Sequence, residues 1–433
     1  MTIDIKDLIK NPEKYKENTK KKGKDSVLNS VDKSITLYDE WRQIKTLGDN
    51  LRASRNKISE AINQAKKTKD EKTASRLIKE AKEIPEKIKD NEEKADKKRL
   101  ELDNEIRKIP NIMWEGVPKG KDSSDNPEIK KGGKIPKLSF EAKNHVELAE
   151  ALGIADFDSS ARVSGNGFYY LKDELAFLNQ ALIRFAIDFM RKKGYSYIET
   201  PMMLHEKEIF ASMDKEAIEQ SVYSINGEDL HLIGTAEQSL LAMHAGQVIP
   251  EWELPKKYFS YSMCFRKEVG AHGINEKGLW RTHQFNKIEQ FIFCKPEDSE
   301  KLYDELLANS VGILEALELP YRIIEICTGD LADWKYRSAD LEVWRPTTKS
   351  YGEVMSLSNC TDYQARKLGI ECVDKQGNKR VLHTLNDTAL ATSRIMVALL
   401  ENNQQKDGSI KIPKALQKYT KFKEIKLKKT KKK

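Results

Sequence analysis

The densest group of residues able to do chemistry lies between Cys264 and Glu289. Cys264-Phe-Arg-Lys-Glu268 precedes a stretch with glycines at 270, 273 and 278, and Arg281-Thr-His-Gln-Phe-Asn-Lys-Ile-Glu289 follows it. A strand, a glycine-rich loop and a returning strand form a hairpin whose tip can move over a ligand. Arg266, near the end of the first strand, can pair bidentately with a phosphate. An ordinary surface hairpin with ion pairs explains this segment equally well, so it indicates phosphate chemistry only together with other segments.

A second group, Glu353-Val-Met-Ser356, predicts a metal-assisted phosphate site. Side chains alternate along a strand, so Glu353 and Ser356 should face opposite sides of a sheet unless a bulge intervenes. A carboxylate beside a phosphate repels it, and Glu353 therefore makes chemical sense there only with a bridging Mg²⁺. Arg394, on an amphipathic helix, needs an anion or a route to solvent. Gly234-Thr-Ala-Glu237 opens a helix, and helix capping is the simpler explanation of that segment taken alone.

The first 110 residues or so differ in composition from the rest and predict a helical hairpin. Apolar residues recur at alternating spacings of three and four on both sides of a polar break at 66–72. One narrow apolar stripe on each of two helices indicates an antiparallel pair from about residue 33 to residue 109. Pro85 falls inside the second helix, where we expect a kink or a local irregularity. The stripe is interrupted at Gly48, Arg55 and Asn91.

The remaining chain has the pattern of an α+β enzyme. Short β-branched and aromatic runs alternate with helical patterns in no regular βαβ order, which predicts an antiparallel sheet flanked by helices. We expect an N-terminal domain at 1–112, a linker at 113–136, a catalytic domain at 137–420 and a basic tail at 421–433. The predicted strands are Tyr195–Glu199, Tyr258–Arg266, Gln284–Cys294, Tyr321–Cys327, Ala339–Trp344 and Val354–Ser358. The predicted helices are Glu174–Lys193, Glu237–Ala245, Pro296–Leu317 and Thr388–Asn403.

Composition excludes several classes of protein. The formal charge of +8 over 433 residues is too small to identify an anionic partner by itself. No window approaches the roughly 18 consecutive apolar residues of a membrane span, and the first residues lack the pattern of a secretory signal. The five cysteines are odd in number, widely spaced and form no CxxC. We therefore expect a cytoplasmic protein with no membrane association, no disulfide framework and no structural zinc.

Taken together, these segments resemble the seryl-tRNA synthetases, a family of class II aminoacyl-tRNA synthetases, over essentially the whole chain. Residues 264–289 resemble class II motif 2, and the helix that carries Arg394 resembles motif 3. The helix at 174–193 and the strand that ends at Pro201 resemble motif 1. The resemblance implies a class II catalytic domain with an antiparallel sheet, and a helical hairpin that binds tRNA.

Three further segments resemble the serine-specific family in particular. They are the Thr-Ala-Glu triplet at 235–237, the run Ser358–Arg366 and the segment 401–413. Residues 388–394 are less glycine-rich than in bacterial members and resemble the archaeal, non-zinc form. The stretch 330–339 departs from the family pattern, so its local structure is left open.

The resemblance implies a serine–tRNA ligase that activates L-serine with ATP and transfers it to the 3′ end of tRNA(Ser); whether tRNA(Sec) is also a substrate stays open. The catalytic residues would be Arg266 between the serine carboxylate and the α-phosphate, Arg394 at the γ-phosphate, and Glu353 holding Mg²⁺ with Ser356. Glu268 would read the adenine amino edge and Phe285 would stack on the ring. The other implied ATP-binding residues are Lys267, Thr282, His283, Gln284, Val354 and Met355.

The resemblance also implies a polar serine pocket. Thr235, Glu237 and Glu289 would bind the ammonium group, and Thr388 would bind the hydroxyl. A site that pairs with a substrate hydroxyl can reject an analogue lacking it by factors up to ~10⁴–10⁵. The implied serine-binding set is completed by Ala236, Arg266 and Asn386.

For tRNA, the resemblance implies that the hairpin grips the long variable arm of tRNA(Ser) across a homodimer. Basic side chains along the hairpin would contact phosphates, although a solvated helix face explains any single one of them equally well. The implied tRNA-binding residues are Arg52, Arg55, Lys66, Lys67, Arg76 and Lys79.

Two alternatives remain at this point. A class II ligase that aminoacylates a carrier protein uses the same ATP chemistry but lacks the hairpin. A catalytically inactive RNA-binding paralogue would have lost the ATP-binding arginines and the Mg²⁺ carboxylate, whereas Arg266, Arg394 and Glu353 are all present. The lysine-rich tail is compatible with RNA affinity, an address signal or a solubilising role.

Overall fold

The chain folds into two compact units, Met1–Pro110 and Asn111–Lys433. The computed structural model describes residues 2–213, 215–269 and 277–427. Gly270 and Gly273 of the predicted hairpin tip, and the end of the basic tail from residue 428, lie outside the described residues.

The first unit is built around two long antiparallel helices. Its helices are α1 (Ile5–Lys10), α2 (Pro12–Lys21), α3 (Leu28–Lys67) and α4 (Glu71–Ile106). The predicted hairpin is confirmed, and its first helix begins earlier than the expected residue 33. The side chain of Asp70 accepts the backbone N–H of Thr73 and so caps the start of α4.

The polar interruptions of the apolar stripe pack against one another. Asn91 donates its amide to the carbonyl of Ile44 on the other helix at 3.0 Å. Gly48 makes room for this side chain, because a Cβ atom there would lie 2.6 Å from Asn91 Nδ2. The interruption is therefore a polar cross-link between the two helices. Helix α4 continues through Pro85 without a break, so the irregularity expected there does not divide the helix.

The second unit is organised on a large sheet. Its strands, in chain order, are β1 (Glu128–Gly132), β2 (Ala155–Asp156), β3 (Tyr170–Leu171), β4 (Ser196–Tyr197), β5 (Met203–Leu204), β6 (His231–Leu232), β7 (Val248–Pro250), β8 (Lys256–Phe265), β9 (Gln284–Cys294), β10 (Tyr321–Glu325), β11 (Arg337–Arg345), β12 (Ser350–Thr361), β13 (Glu371–Val373), β14 (Lys379–Val381), β15 (His383–Ala391), β16 (Ile410–Lys411) and β17 (Glu424–Ile425). Eight of them form one sheet in the order β1-β10-β11-β12-β15-β9-β8-β4. Within it only β4 and β8 run parallel, which confirms the predicted antiparallel α+β class.

Helices cover this sheet and one of them starts later than predicted. They are α5 (His145–Leu152), α6 (Phe157–Ser164), α7 (Asp173–Lys192), α8 (Glu206–Ser212), α9 (Lys215–Ser221), α10 (Ala236–Ala242), α11 (Ser299–Ala316), α12 (Tyr363–Leu368), α13 (Thr392–Asn403) and α14 (Lys414–Thr420). The prediction of helix from Thr388 is wrong, because 383–391 forms β15. This strand pairs with β12 and β9 and is buried along nearly its whole length. Its polar residues, including Asn386 and Thr388, are buried with its apolar ones, so the sequence lacks the apolar–polar alternation that would predict a strand.

Residues 113–136, for which the sequence predicts a linker, contribute to the second unit. Strand β1 pairs with β10 at the edge of the sheet, with Gly132 opposite Tyr321. A Cβ atom at Gly132 would lie 2.3 Å from the Tyr321 ring, which explains the glycine. The core lies between the sheet and its helices and includes Leu182, Phe259 and Leu314. Within the described ranges, no helix is long and apolar enough to span a membrane.

Candidate active site

A bulge in β12 brings Glu353 and Ser356 to the same face of the sheet. On β11, Asp340 is the register partner of Ser356, and Glu342, two residues later, is the register partner of Glu353. Two residues of β11 therefore span three of β12, because the register shifts by one residue between the two pairs. The extra residue, Val354, is buried in the core. Strict alternation would have separated the two side chains, and the bulge reverses that outcome. Both therefore line the same cavity.

Arg266 lies where two adjoining cavities meet. It follows β8, and its Nε donates to the carbonyl of Gly234 at 3.1 Å. Its guanidinium lies over the ring of Phe285, 5.2 Å from the centroid. These contacts fix the side chain. Among the described residues, neither terminal nitrogen is given a hydrogen-bond partner, so both are available to a ligand. Counting the space that is open to solvent, the smaller cavity has a volume of about 470 Å³ and the larger about 1470 Å³, and Arg266 lines both.

The smaller cavity is dominated by arginine. Arg394, in the first turn of α13, donates from Nη1 to the backbone carbonyl of Glu353 at 2.8 Å and lies 3.2 Å from its carboxylate. Arg394 also lies over the indole of Trp280, 5.5 Å from its centroid. Partial burial alone would raise the pKa of Glu353, but positive charge, chiefly from Arg394, lowers it below its ordinary value. A cation suited to phosphate and a carboxylate suited to Mg²⁺ thus neutralise each other.

The larger cavity ends in a polar, largely buried pocket. Glu237, near the start of α10, accepts hydrogen bonds on Oε1 from Gln364 at 2.7 Å and from Asn386 at 3.0 Å. Burial, and then the charge of Glu289, raise the pKa of Glu237 to about 7. Thr235 donates to Glu289 Oε2 at 3.0 Å. The pocket therefore presents two carboxylates, Glu237 held by neutral amides and Glu289 held by the Thr235 hydroxyl and the Lys287 ammonium, which suits a small zwitterion.

The hairpin of β8 and β9 supplies side chains to both cavities. Glu268 has a positive φ of 51° and accepts from Arg281 Nη1 at 3.1 Å. A left-handed glutamate is strained, and such strain is concentrated at functional sites. The predicted site residues that line the cavities are Thr235, Glu237, Arg266, Glu268, Thr282, Phe285, Glu289, Glu353, Val354, Ser356, Asn386, Thr388 and Arg394.

The other predicted site residues do not line either cavity in the described ranges. Ala236 and Met355 are fully buried, so any contact with a ligand would use their backbone. His283 bonds to the carbonyl of Arg266 at 2.8 Å and to Tyr223 at 3.1 Å, which places it behind the hairpin. The two remaining residues are Lys267 and Gln284, for which the structure gives backbone pairing only.

Comparison with known proteins decides the family. Residues 2–113 match the family model described as the seryl-tRNA synthetase N-terminal domain. Residues 220–403 match the class II tRNA synthetase core domain for G, H, P, S and T. A serine–tRNA ligase of Methanocella arvoryzae is 42% identical over 419 residues, covering 96% of this chain and 98% of the relative. The chain belongs to the seryl-tRNA synthetase family. Its activity is that of a serine–tRNA ligase, an ATP-dependent aminoacyl-tRNA synthetase.

Solved seryl-tRNA synthetases agree with this assignment. The enzyme of Pyrococcus horikoshii, solved with ATP, is 39% identical with a TM-score of 0.90, covering 99% of this chain and all of that one. The cytoplasmic enzyme of Naegleria fowleri, solved with AMP, is 33% identical with a TM-score of 0.83, covering 97% and 96%. A ligase of Treponema denticola is 42% identical over 426 residues, covering 98% of this chain and 100% of the relative. The resemblance drawn from the motifs is confirmed, including archaeal relatives.

Several residues of this seryl-tRNA synthetase site were missed from the sequence. Lys287 and Arg281 line both cavities, Trp280 lines the smaller one and Lys335 the larger one, and the buried Oδ1 of Asp340 has no hydrogen-bond partner among the described residues. Burial, and then the charge of Glu353, raise the pKa of Asp340. Lys287 stands two residues before Glu289, so strand alternation alone could have placed it in the pocket. The others depend on contacts between distant strands, which the sequence does not show.

A buried carboxylate supports the synthetase site from behind. Glu401, two turns after Arg394 on α13, is fully buried and accepts from Thr347 at 2.7 Å and Arg345 at 3.1 Å. Its Oε1 also lies 3.2 Å from His145 Nδ1. Arg345 in turn lies over the Trp280 indole, 4.3 Å from its centroid.

Replacing Glu401 with alanine should therefore destabilise the second unit. Removing one partner of a buried ion pair costs about 3–5 kcal/mol, because the other charge stays buried without compensation. The measurement is the free energy of unfolding in urea by tryptophan fluorescence, which reports this unit because only Trp41 lies outside it. Glu424→Ala removes an exposed pair with Lys426 and is the control. Equal effects of the two changes would contradict the role of Glu401.

The side chains able to hold a metal were considered among the residues that the structure describes. Within the described ranges, no three His, Cys, Asp or Glu side chains form a cluster able to hold a metal. All five cysteines are buried and free. The oxygen atoms of Glu353 and Ser356, brought together by the bulge, are the donors that Mg²⁺ prefers, and they fit an ion delivered with a nucleotide.

Proposed function

We propose that the two adjoining cavities bind ATP and serine side by side and that Arg266 joins them during serine activation. The supporting observation is that Arg266 lines both cavities, one bordered by Arg394 and Glu353 and the other ending at Glu237 and Glu289. A polyphosphate fits the first and an amino acid the second. The remaining lining residues act as follows: Phe285 stacks on adenine, Glu268 reads its amino edge, and Thr235, Asn386 and Thr388 surround serine.

In the proposed reaction the serine carboxylate attacks the α-phosphorus of ATP. A carboxylate oxygen–phosphorus bond forms and the bond from that phosphorus to the bridging oxygen of pyrophosphate breaks. The two reactants are both anionic, so the main task of the site is to neutralise and align them. Arg266 donates to both at once. Glu353 and Ser356 hold Mg²⁺, which neutralises phosphate charge when bound.

The experiment is a crystal structure with a seryl sulfamoyl-adenosine, a stable mimic of seryl-adenylate. We expect the seryl group beside Glu237 and Glu289, with its ammonium at Glu237, the sulfamoyl group at Arg266, and the adenine on Phe285. Binding of the mimic elsewhere, or failure to bind, would contradict the proposal.

We also propose that the protein is a cytoplasmic homodimer and that its hairpin grips the long variable arm of tRNA(Ser). At 1.5 Å per residue, the 40 residues of α3 extend about 60 Å, long enough to project from a catalytic unit. Arg55, Lys66, Lys67, Arg76 and Lys79 are exposed along the hairpin, as phosphate contacts must be. The exposed Phe177 on α7 supports a subunit contact, and the five free cysteines support a reducing compartment. The same contact between the hairpin and a variable arm would also allow serylation of tRNA(Sec).

Replacing Arg52 and Arg55 with alanine should weaken tRNA charging and leave serine-dependent exchange between ATP and pyrophosphate unchanged. Each lost phosphate contact reduces the magnitude of the slope of log affinity against log salt by about 0.7–0.9, so the double variant should lose at least about 0.7 units of slope and at most about 1.8. Arg52 is half-buried and paired with Asp49 and Glu92, so most of the effect should come from Arg55.

The matched control removes the same charge from the other helix of the hairpin. Lys87 and Lys94 are held in ion pairs with Glu83 and Asp90, and alanine at both should leave the salt slope unchanged. Equal slopes for the two double variants would mean that the hairpin binds by general charge only. Loss of exchange activity in the arginine variant would mean that the hairpin is structural.

A further inference from the structure

The serine pocket contains a buried lysine that the activation chemistry leaves unused. Lys287 is 6% exposed and stands two residues before Glu289 on β9. Its Nζ donates to Thr235 Oγ1 at 3.1 Å and forms an ion pair with Glu289 Oε2. Thr235 donates to the same Oε2 at 3.0 Å, so the three groups form a closed triangle. Fully buried lysines are rare unless they are paired, and this one is paired inside a substrate pocket.

The positive and negative side chains that line the larger cavity are equal in number only if Lys287 is included. The larger cavity is lined by four carboxylates, from Glu237, Glu268, Glu289 and Glu353, and by four cations, from Arg266, Arg281, Lys287 and Lys335. Free serine is a zwitterion with no net charge, and a pocket with balanced charge suits it. Without Lys287, Glu237 and Glu289 would face each other across a desolvated pocket with no cation bonded to either. Like charges in such a site compete for a proton.

The two carboxylates are also held differently, and Lys287 makes the difference. Glu237 accepts from two neutral amides, both on Oε1, which leaves its second oxygen for a ligand. Glu289 is instead compensated by an ammonium group and oriented by a hydroxyl. A cationic ligand is drawn to the uncompensated carboxylate, whereas a compensated carboxylate remains a good acceptor for a neutral hydroxyl.

We infer that Lys287 is a positioning residue for serine, which compensates Glu289 so that the pocket binds ammonium at one carboxylate and the hydroxyl at the other. The inference rests on the proposed serine site and deepens it. Lys287 itself need not touch the substrate. Lys287 lines both cavities, but its Nζ bonds within the serine pocket, so its loss should impair serine binding much more than ATP binding.

The test compares Lys287→Met with wild type in serine-dependent exchange between ATP and pyrophosphate. We expect the KM for serine to rise at least about tenfold at pH 7, which corresponds to about 1.4 kcal/mol, and the KM for ATP to rise much less, because the Nζ of Lys287 bonds to Thr235 and Glu289 of the serine pocket. Lys257→Met is the matched control, because Lys257 on β8 pairs with Glu305 at 2.7 Å outside both cavities. Lys287→Gln, which keeps a donor for Thr235 and loses only the charge, replaces the methionine variant if that fails to fold.

The pH profile separates positioning from a purely structural role. In wild type the serine KM should fall as pH rises through about 7, because burial and the charge of Glu289 raise the pKa of Glu237 to about 7 and its carboxylate binds the ammonium only when ionised. In Lys287→Met the fall should move to higher pH, because the positive charge of Lys287 lowers the pKa of Glu237 and its loss removes that effect. The other ionisable groups around the pair are Arg266 and Cys264 at the end of β8, Lys335 before β11, Cys360 near the end of β12, and Asp387 on the opposite side of β15. All of them are the same in both proteins. Burial raises the pKa of Cys264 above its ordinary value, and arginine and lysine ordinarily titrate far above this range.

Three results would overturn the inference. They are a serine KM unchanged in Lys287→Met, equal rises in the KM for serine and for ATP, and a pH profile that parallels wild type. Failure of the wild-type enzyme itself to depend on serine would instead overturn the proposed function, so the two failures are distinguishable.

Discussion

Replacing Arg266 with lysine should reduce serine-dependent exchange between ATP and pyrophosphate by about 100-fold to 1,000-fold, the usual cost of losing one donor aimed at developing charge. Lysine keeps the positive charge but loses the planar fork, which can donate to the serine carboxylate and the α-phosphate at the same time. It also loses the Nε bond to Gly234 and the stacking on Phe285 that hold the side chain in place. The measurement is kcat/KM for each substrate, with the larger loss expected in kcat.

Arg322→Lys is the matched control for this change. Arg322 lies on β10 of the same sheet, pairs with Glu342 at 2.5 Å and stacks on Tyr351, outside both cavities. Its replacement removes another guanidinium that stacks on an aromatic ring of the same sheet, without touching the site. Comparable activity losses in the two variants would mean that Arg266 supports the sheet and does not act on the reactants.

Replacing Glu353 with glutamine should lower exchange activity by about 100-fold or more, because a metal that neutralises phosphate charge contributes several kcal/mol. The Mg²⁺ concentration needed for half-maximal activity should rise, since a neutral amide oxygen is a weaker ligand than a carboxylate. The same change frees Arg394 from its 3.2 Å pairing with the carboxylate. ATP added without Mg²⁺ should therefore bind the variant at least as well as it binds the wild type.

Glu342→Gln is the control on the neighbouring strand, where Glu342 is the register partner of Glu353. It pairs with Arg322 and lines neither cavity within the described ranges. Its replacement should leave the Mg²⁺ dependence unchanged. A normal Mg²⁺ profile in Glu353→Gln would remove Glu353 from the proposed metal site.

The sequence predicts the hairpin and most of the sheet because each depends on local pattern. The stripe through Leu37, Ile84 and Ile88 follows helical periodicity, and all three residues are buried in the structure. Strand β9 was predicted with its observed bounds because β-branched and aromatic residues crowd 284–294 and a glycine-rich loop precedes it.

The errors fall where distant strands decide the outcome. The bulge at Val354 is set by pairing between β11 and β12, and no local pattern marks it. Strand β15 has polar residues on a pocket-lining face and is covered on both sides, so it gives no period-2 signal. Lys287 appears in the sequence as an ordinary charged residue of a hairpin, and only its contacts with Thr235 and Glu289 show that it belongs to the pocket. Tertiary pairing, which the sequence does not reveal, therefore accounts for the missed part of the site.

We propose that one polar pocket with balanced charge selects serine and places its carboxylate beside Arg266. The most direct measurement is exchange between ATP and pyrophosphate with serine, alanine, glycine and threonine supplied in turn. We predict that serine supports exchange. Alanine and glycine, which lack the hydroxyl, should support it with a kcat/KM lower than that of serine by a factor that can approach ~10⁴. Exchange at similar rates with all four amino acids would show that the pocket does not select serine.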